Sequence, residues 1–155
     1  MMPLLKLKLP SLLVALLCLA SSSVLAQDKI IGFIKTVDGA ASVVSAQQTV
    51  AAKPGMPLEL GQTLKTGTNG SLGVLLKDNT SLAVGANTEI VLDEFVYEPV
   101  ADKLKLELNF IKGTLHYVSG VIAKLKPEAI SIKTPTGMIG VRGTQFLAKV
   151  AEPQK

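Results

Sequence analysis

The stretch Ser131–Val150, SIKTPTGMIGVRGTQFLAKV, decides how the rest of the chain is read. Before Thr134-Pro135, the residues Ile130, Ile132 and Thr134 alternate with Ser131 and Lys133, the period-2 signature of a strand with one buried face. After Gly143, Thr144–Val150 (TQFLAKV) resumes as a second strand. Between them stand Gly137, Gly140 and Gly143, spaced three apart, and the only arginine of the chain, Arg142. Glycine admits positive φ or the close approach of another backbone, so the spacing predicts a tight crossing between two strands.

The same alternation runs through the rest of the chain. Leu104, Leu106, Leu108 and Phe110 alternate with Lys103, Lys105, Glu107 and Asn109, which predicts a strand with one wet face. Gly113–Val118 follows, with Leu115 and Tyr117 set against Thr114 and His116. Asp38-Gly39 and Asp78-Asn79 predict hairpin turns, Gln47-Gln48 a polar turn and Thr66–Gly70 another. Lys53-Pro54-Gly55-Met56-Pro57 reads as an exposed loop, after which Leu58, Leu60 and Leu64 are expected to point inward. Thr88–Leu92 is a strand that Asp93–Tyr97 extends after a bulge. Ile122–Lys126, limited by Pro127, reads as a helical turn or an irregular loop. No amphipathic helix of useful length is present, so the expected class is all-β, built of many short strands.

At the N-terminus, Lys6 and Lys8 precede an uncharged stretch, Ser11–Gln27, that passes through Val24-Leu25-Ala26. A basic segment, an apolar segment and a small-residue site are the layout of a secretory signal peptide. Residues 1–26 are therefore expected to be removed, leaving one domain over residues 27–155 in the periplasm or outside the cell, with the membrane touched only through the leader. Cys18, the only cysteine, lies in that leader behind Leu17, which disfavours lipidation and leaves the domain without disulfides.

The composition also narrows the chemistry. A formal charge of +4, part of it in the leader, does not argue for nucleic acid. With one histidine, His116, no cysteine beyond the leader and scattered carboxylates, neither a nucleophile and base pair nor a metal or cofactor site is signalled, and no enzyme is expected. His116 reads as a surface strand residue. The glycine series lacks the Gly-Lys-Ser/Thr and the helix that a phosphate loop needs, which leaves backbone packing. Asn69-Gly70-Ser71 and Asn79-Thr80-Ser81 fit the glycosylation pattern but read as turns. Arg142 has two readings: a guanidinium buried against backbone carbonyls or a carboxylate such as Asp93 or Glu107, or a contact to a partner's carboxylate. Flanking Ile139 and Val141 favour the first.

The closing stretch TPTGMIGVRGTQF resembles the signature that ends the FecR domain. Gly39–Val44, Leu58–Gly67, Leu75–Leu82 and Ile111–Leu115 resemble earlier elements of that family in order, so the resemblance covers roughly Ile30–Val150. Gln62 stands where the family usually has Asp, and Asn79 where it usually has Gly. The resemblance implies an irregular twisted β-solenoid-like or sandwich arrangement in which both ends of the chain share one core and the closing stretch is a central element. Its motif residues here are Thr134, Pro135, Gly137, Gly140, Arg142, Gly143, Thr144 and Phe146, with a structural or binding role. The function it implies is an exported protein-binding or sensory module acting on an unidentified envelope protein or surface polymer. A structural, surface-attaching component of the envelope is the alternative.

Overall fold

A computed structural model describes residues 30–152. The expected signal peptide, its cleavage site and Cys18 lie outside the described residues. The described residues form twelve strands: β1 (Ile30–Asp38), β2 (Ala41–Val44), β3 (Thr49–Ala51), β4 (Pro57–Glu59), β5 (Thr63–Thr66), β6 (Ser71–Leu76), β7 (Ser81–Val84), β8 (Glu89–Glu98), β9 (Lys103–Val118), β10 (Ile130–Thr134), β11 (Gly137–Gly140) and β12 (Gln145–Val150). Among the described residues the only α-helix is α1 (Val121–Leu125). The all-β expectation holds, and the arrangement is one curled, almost wholly antiparallel sheet.

The sheet runs β3-β2-β5-β8-β9-β7-β6-β1-β4, and everything turns on β9. Its first part pairs with β8 on one side and, in parallel, with β10 on the other; its last part pairs with β7 and β12. The strand thus belongs to both limbs of the sheet. It changes limb at Gly113, whose φ of 102° is open to glycine at little cost. Inward positions run Leu104, Leu106, Leu108, Phe110 and then Leu115 and Tyr117, so the parity of burial switches across the bend. The pairing registers the same extra residue, since Glu89 faces Lys112 while Ile90 faces Phe110. This bulge lets a strand that turns a corner keep its apolar side chains on the inside of both limbs.

A single core results. Ile34, Leu58, Leu64, Leu82, Ile90, Leu106, Phe110, Leu115, Tyr117 and Ile132 belong to one contiguous cluster, and β12 lays Phe146, Ala148 and Val150 against it. Strands from both ends of the described chain share that core, as expected. The parallel pairing of β9 with β10 requires a crossover, and α1 with the 3-10 turn Pro127–Ala129 supplies it, pinned by the fully buried Ile122. β8 is one strand, bulged between Leu92 and Glu94, where the sequence places the bulge.

Four expectations need correction. Asp38-Gly39 closes no hairpin: β1 pairs with β4 and β6, β2 with β3 and β5, and the dipeptide carries the chain between limbs. Leu60 is 45% exposed and does not join Leu58 and Leu64 inside. Pro57 leaves the loop to open β4, an edge strand, where its missing N–H costs no ladder bond. The closing stretch is peripheral, since β11 pairs only with β10, and β12 only with β9. The central strand is β9, whose two halves read as separate strands because Gly113 breaks the alternation.

Candidate functional site

Three elements carry the closing motif. The β10–β11 hairpin turns at Pro135-Thr136, and the Thr134 hydroxyl donates to the Gly137 carbonyl at 3.0 Å. Val141, 3% exposed, anchors the chain as it leaves β11. Thr144 then leads into β12, where Phe146 stacks on Tyr117 with ring centroids 5.0 Å apart. Between these anchors the loop Arg142–Thr144 stands out from the surface, tied back where the Ser119 hydroxyl donates to the Gly143 carbonyl at 2.6 Å and the Ser119 N–H to the Thr144 carbonyl at 2.8 Å.

Arg142 is exposed and forms no hydrogen bond or ion pair with any described residue, so the buried reading of its guanidinium is overturned. Asp93 and Glu107 do not reach it; Glu107 is taken by Lys133 and lies 3.8 Å from Lys105. The physical reason is that Val141 alone turns inward, and the loop that follows faces the crossover rather than the core. The glycine expectation fails in the same place. None of Gly137, Gly140 and Gly143 has a left-handed φ, and nothing lies within 4 Å of where a Cβ would stand on any of them. The fold itself does not require glycine there.

A cavity of about 450 Å³ opens between this loop and the crossover. Arg142 and Lys124 bring two cations to its wall, Glu128 one carboxylate, Ser119 and Thr144 hydroxyls, and Ala123 and Pro127 apolar surface. The side chains of Lys124 and Glu128, like that of Arg142, have no partner elsewhere in the described chain. Chemically such a wall could hold an anionic group: a carboxylate would find a planar guanidinium and an ammonium whose charges are not already spent on the protein. The sequence brings Arg142 to attention but not Lys124 or Glu128, because the crossover that places them beside the loop has no periodicity to read.

The other polar centre is buried. Asp78, fully inaccessible, accepts from the Thr80 N–H at 3.0 Å, the Thr80 hydroxyl at 2.8 Å and the Ile122 N–H at 3.3 Å, while its carbonyl accepts from the Val121 N–H at 2.7 Å. The carboxylate therefore holds the β6–β7 turn and starts α1 with the same atoms. Asn79, at φ 66°, takes the turn position expected of it. Asp-x-Thr after a strand is the signal that could have found this site. His116 sits half-buried on β9 between Ala83 and Leu147 of the neighbouring strands, with no catalytic partner beside it. Among the described residues no three His, Cys, Asp or Glu side chains come together in a way that could hold a metal ion.

A family model described as "FecR protein" matches residues 62–155. The chain belongs to the FecR family. The match begins within the turn before β5, so β1–β4 fall outside it; yet in this FecR domain β1 pairs with β6 and β2 with β5, completing the sheet of the matched part. A solved structure titled "Cell surface anchoring domain" is 34% identical over 39% of this chain and 80% of its own, with a TM-score of 0.37. No curated protein matches.

Proposed function

We propose that this FecR domain is an exported, non-enzymatic module that binds a protein partner of the cell envelope in a regulatory or sensory role, through the cavity beside Arg142. Arg142 carries the reading. A guanidinium that the fold neither buries nor pairs, standing with Lys124 at the mouth of a cavity, offers a bidentate grip on a carboxylate of the partner. The apolar wall of Ala123 and Pro127 supplies contact area, and Glu128 excludes ligands that bring only negative charge. Family membership supports a regulatory module; the leader layout of Met1–Ala26 supports export.

Affinity capture from envelope extract, run in parallel with wild type, Arg142→Lys and Arg142→Ala, tests the reading. Both variants should keep the wild-type melting temperature, and captured partner should fall several-fold for lysine and further for alanine, because a fork is replaced by a point charge and then by nothing. Equal capture by all three proteins overturns the role of Arg142. A fall in melting temperature that accounts for the lost capture would return the residue to the scaffold.

A further inference from the structure

The strand β11, Gly137-Met138-Ile139-Gly140, ends its limb of the sheet, and among the described residues no strand pairs with its outer side. Every second residue of such an edge points its N–H and C=O away from the sheet, and edges are ordinarily blunted by charge or proline. β4 carries Pro57 and Glu59, and β12 carries Lys149. β3, also neutral, ends after three residues. β11 has four, none charged, and presents Met138 with 63% of its surface exposed. Beside it, the space at Gly137 and Gly140 is empty.

We infer that this edge pairs with β11 of a second copy of the chain, antiparallel and about a two-fold axis normal to the sheet. Such an axis preserves the two faces only if one residue lies opposite its own copy. With Ile139 at the axis, the two half-buried isoleucines meet on the core face. Met138 then falls opposite Gly140 of the second copy on the wet face, twice over. The large exposed side chain fills the space that the missing side chain leaves, which gives Gly140 the purpose that the single chain does not. Gly137 falls opposite Val141 of the second copy, and Arg142 opposite its Thr136, so no like charges are brought together. The strand pattern thus matches itself in shape and in charge, whereas the edge offers a foreign acidic or basic strand no charged residue to pair with. The contact is short, so association is weak and concentration-dependent. Lys124 and Glu128 of the cavity wall lie on the crossover, outside the paired segment.

Sedimentation equilibrium over a concentration series, on protein recovered from cells expressing the full chain, tests this pairing. Wild type should show a reversible monomer–dimer equilibrium. Met138→Lys, which puts a charge on the edge, and Gly140→Val, which fills the space Met138 needs, should each raise the dissociation constant ten-fold or more. Gly140 has open space at its Cβ and Met138 is 63% exposed, so at a dilution where all proteins are monomeric melting should be unchanged for Gly140→Val and fall only slightly for Met138→Lys, which faces Lys133 across the hairpin. Leu147→Lys, on the separate edge strand β12 and 71% exposed, should leave the dimer intact. A wild type that stays monomeric at every soluble concentration overturns the proposal, as does a dimer indifferent to both substitutions. So does a photo-crosslinker at position 138 that joins the edge to a different protein instead of to a second copy.

Discussion

A Cβ placed on Gly113 would stand 2.1 Å from the Thr88 hydroxyl oxygen and 2.4 Å from the Thr88 Cα. The bend that lets β9 serve both limbs is therefore closed by a threonine packed into the space a side chain would take. Thr88 is 1% exposed; its oxygen accepts from the Thr114 N–H at 2.9 Å and its hydroxyl donates to the Ala86 carbonyl at 3.1 Å. Its own N–H donates at 2.9 Å to Thr66, whose hydroxyl donates at 2.6 Å to the Gly85 carbonyl.

Gly113→Ala should accordingly be among the most damaging small substitutions in the chain. It adds backbone strain of about 1–3 kcal/mol to overpacking of similar size. The sum is a large part of the roughly 5–15 kcal/mol that holds a domain together. Gly140→Ala, with open space at its Cβ, is the matched control and should shift the urea midpoint little. Equal midpoints for the two variants would remove Gly113 from its role as the corner.

Asp78→Ala tests the second fastening. It leaves the Thr80 and Ile122 N–H groups buried without an acceptor, each at a cost of about 1–3 kcal/mol. The expected outcome is a large fall in stability together with fast hydrogen exchange at Val121 and Ile122. Exchange at those amides that matches wild type would mean α1 is held by Ile122 packing alone.

How much of this was legible in the sequence depended on whether the feature was local. Alternation along Lys103–Phe110 gives the burial of β9 residue by residue, because period 2 is written in consecutive positions. Asn79 and the bulge near Asp93 are likewise local. Asp38-Gly39 misleads because a tight turn shows that the chain changes direction, not which strands then pair; here both flanking strands find partners far along the chain. Arg142 misleads for a related reason. Its apolar neighbours Ile139 and Val141 do lie on the core side, but the side chain between Val141 and Gly143 takes the opposite one, and only the placement of α1 shows what it faces.

The two faces of β9 should respond differently to a carboxylate. Leu106 is fully buried, so Leu106→Asp puts an unpaired charge in the core at several kcal/mol and should prevent folding. Lys105 lies on the wet face, 2.7 Å from Glu94 and 3.8 Å from Glu107. Lys105→Asp should lower the melting temperature modestly, and less in high salt, because the new carboxylate meets two others through solvent. The hydrogen bond from Lys133, with the positive charges of Lys133 and Lys105, holds the Glu107 carboxyl below its ordinary value against the opposing effect of burial. That contribution is present above the unfolded carboxylate pKa of about 4.3 and fades as the pH falls through the lower folded value. Glu107→Gln should flatten this acid limb. Similar melting curves for Leu106→Asp and Lys105→Asp would mean that the faces of the strand are wrongly assigned.

At the alkaline end the relevant group is Tyr117, fully buried, with a hydroxyl that meets no hydrogen-bond partner of regular geometry. Burial pushes its phenol above the ordinary value; the Asp78 carboxylate acts in the same direction, and the nearby Thr80 and Ser119 hydroxyls pull partly back. Because the folded pKa is the higher one, the stability linked to this group is complete below the unfolded tyrosine pKa of about 10 and is lost as the pH rises through the folded value. Lys105, Lys112 and Lys133 are raised by their carboxylate partners and act with the same sign, but their exposed pairs are screened by salt. In high salt, therefore, Tyr117→Phe should isolate the tyrosine: stability near neutral pH unchanged or slightly higher, since the lost hydroxyl had no bond to give up, and a shallower decline at high pH. The ring stacking on Phe146 survives the substitution, so packing is not altered at the same time. Wild type and Tyr117→Phe that decline in parallel at high salt would show that the phenol ionises only after the chain has already opened.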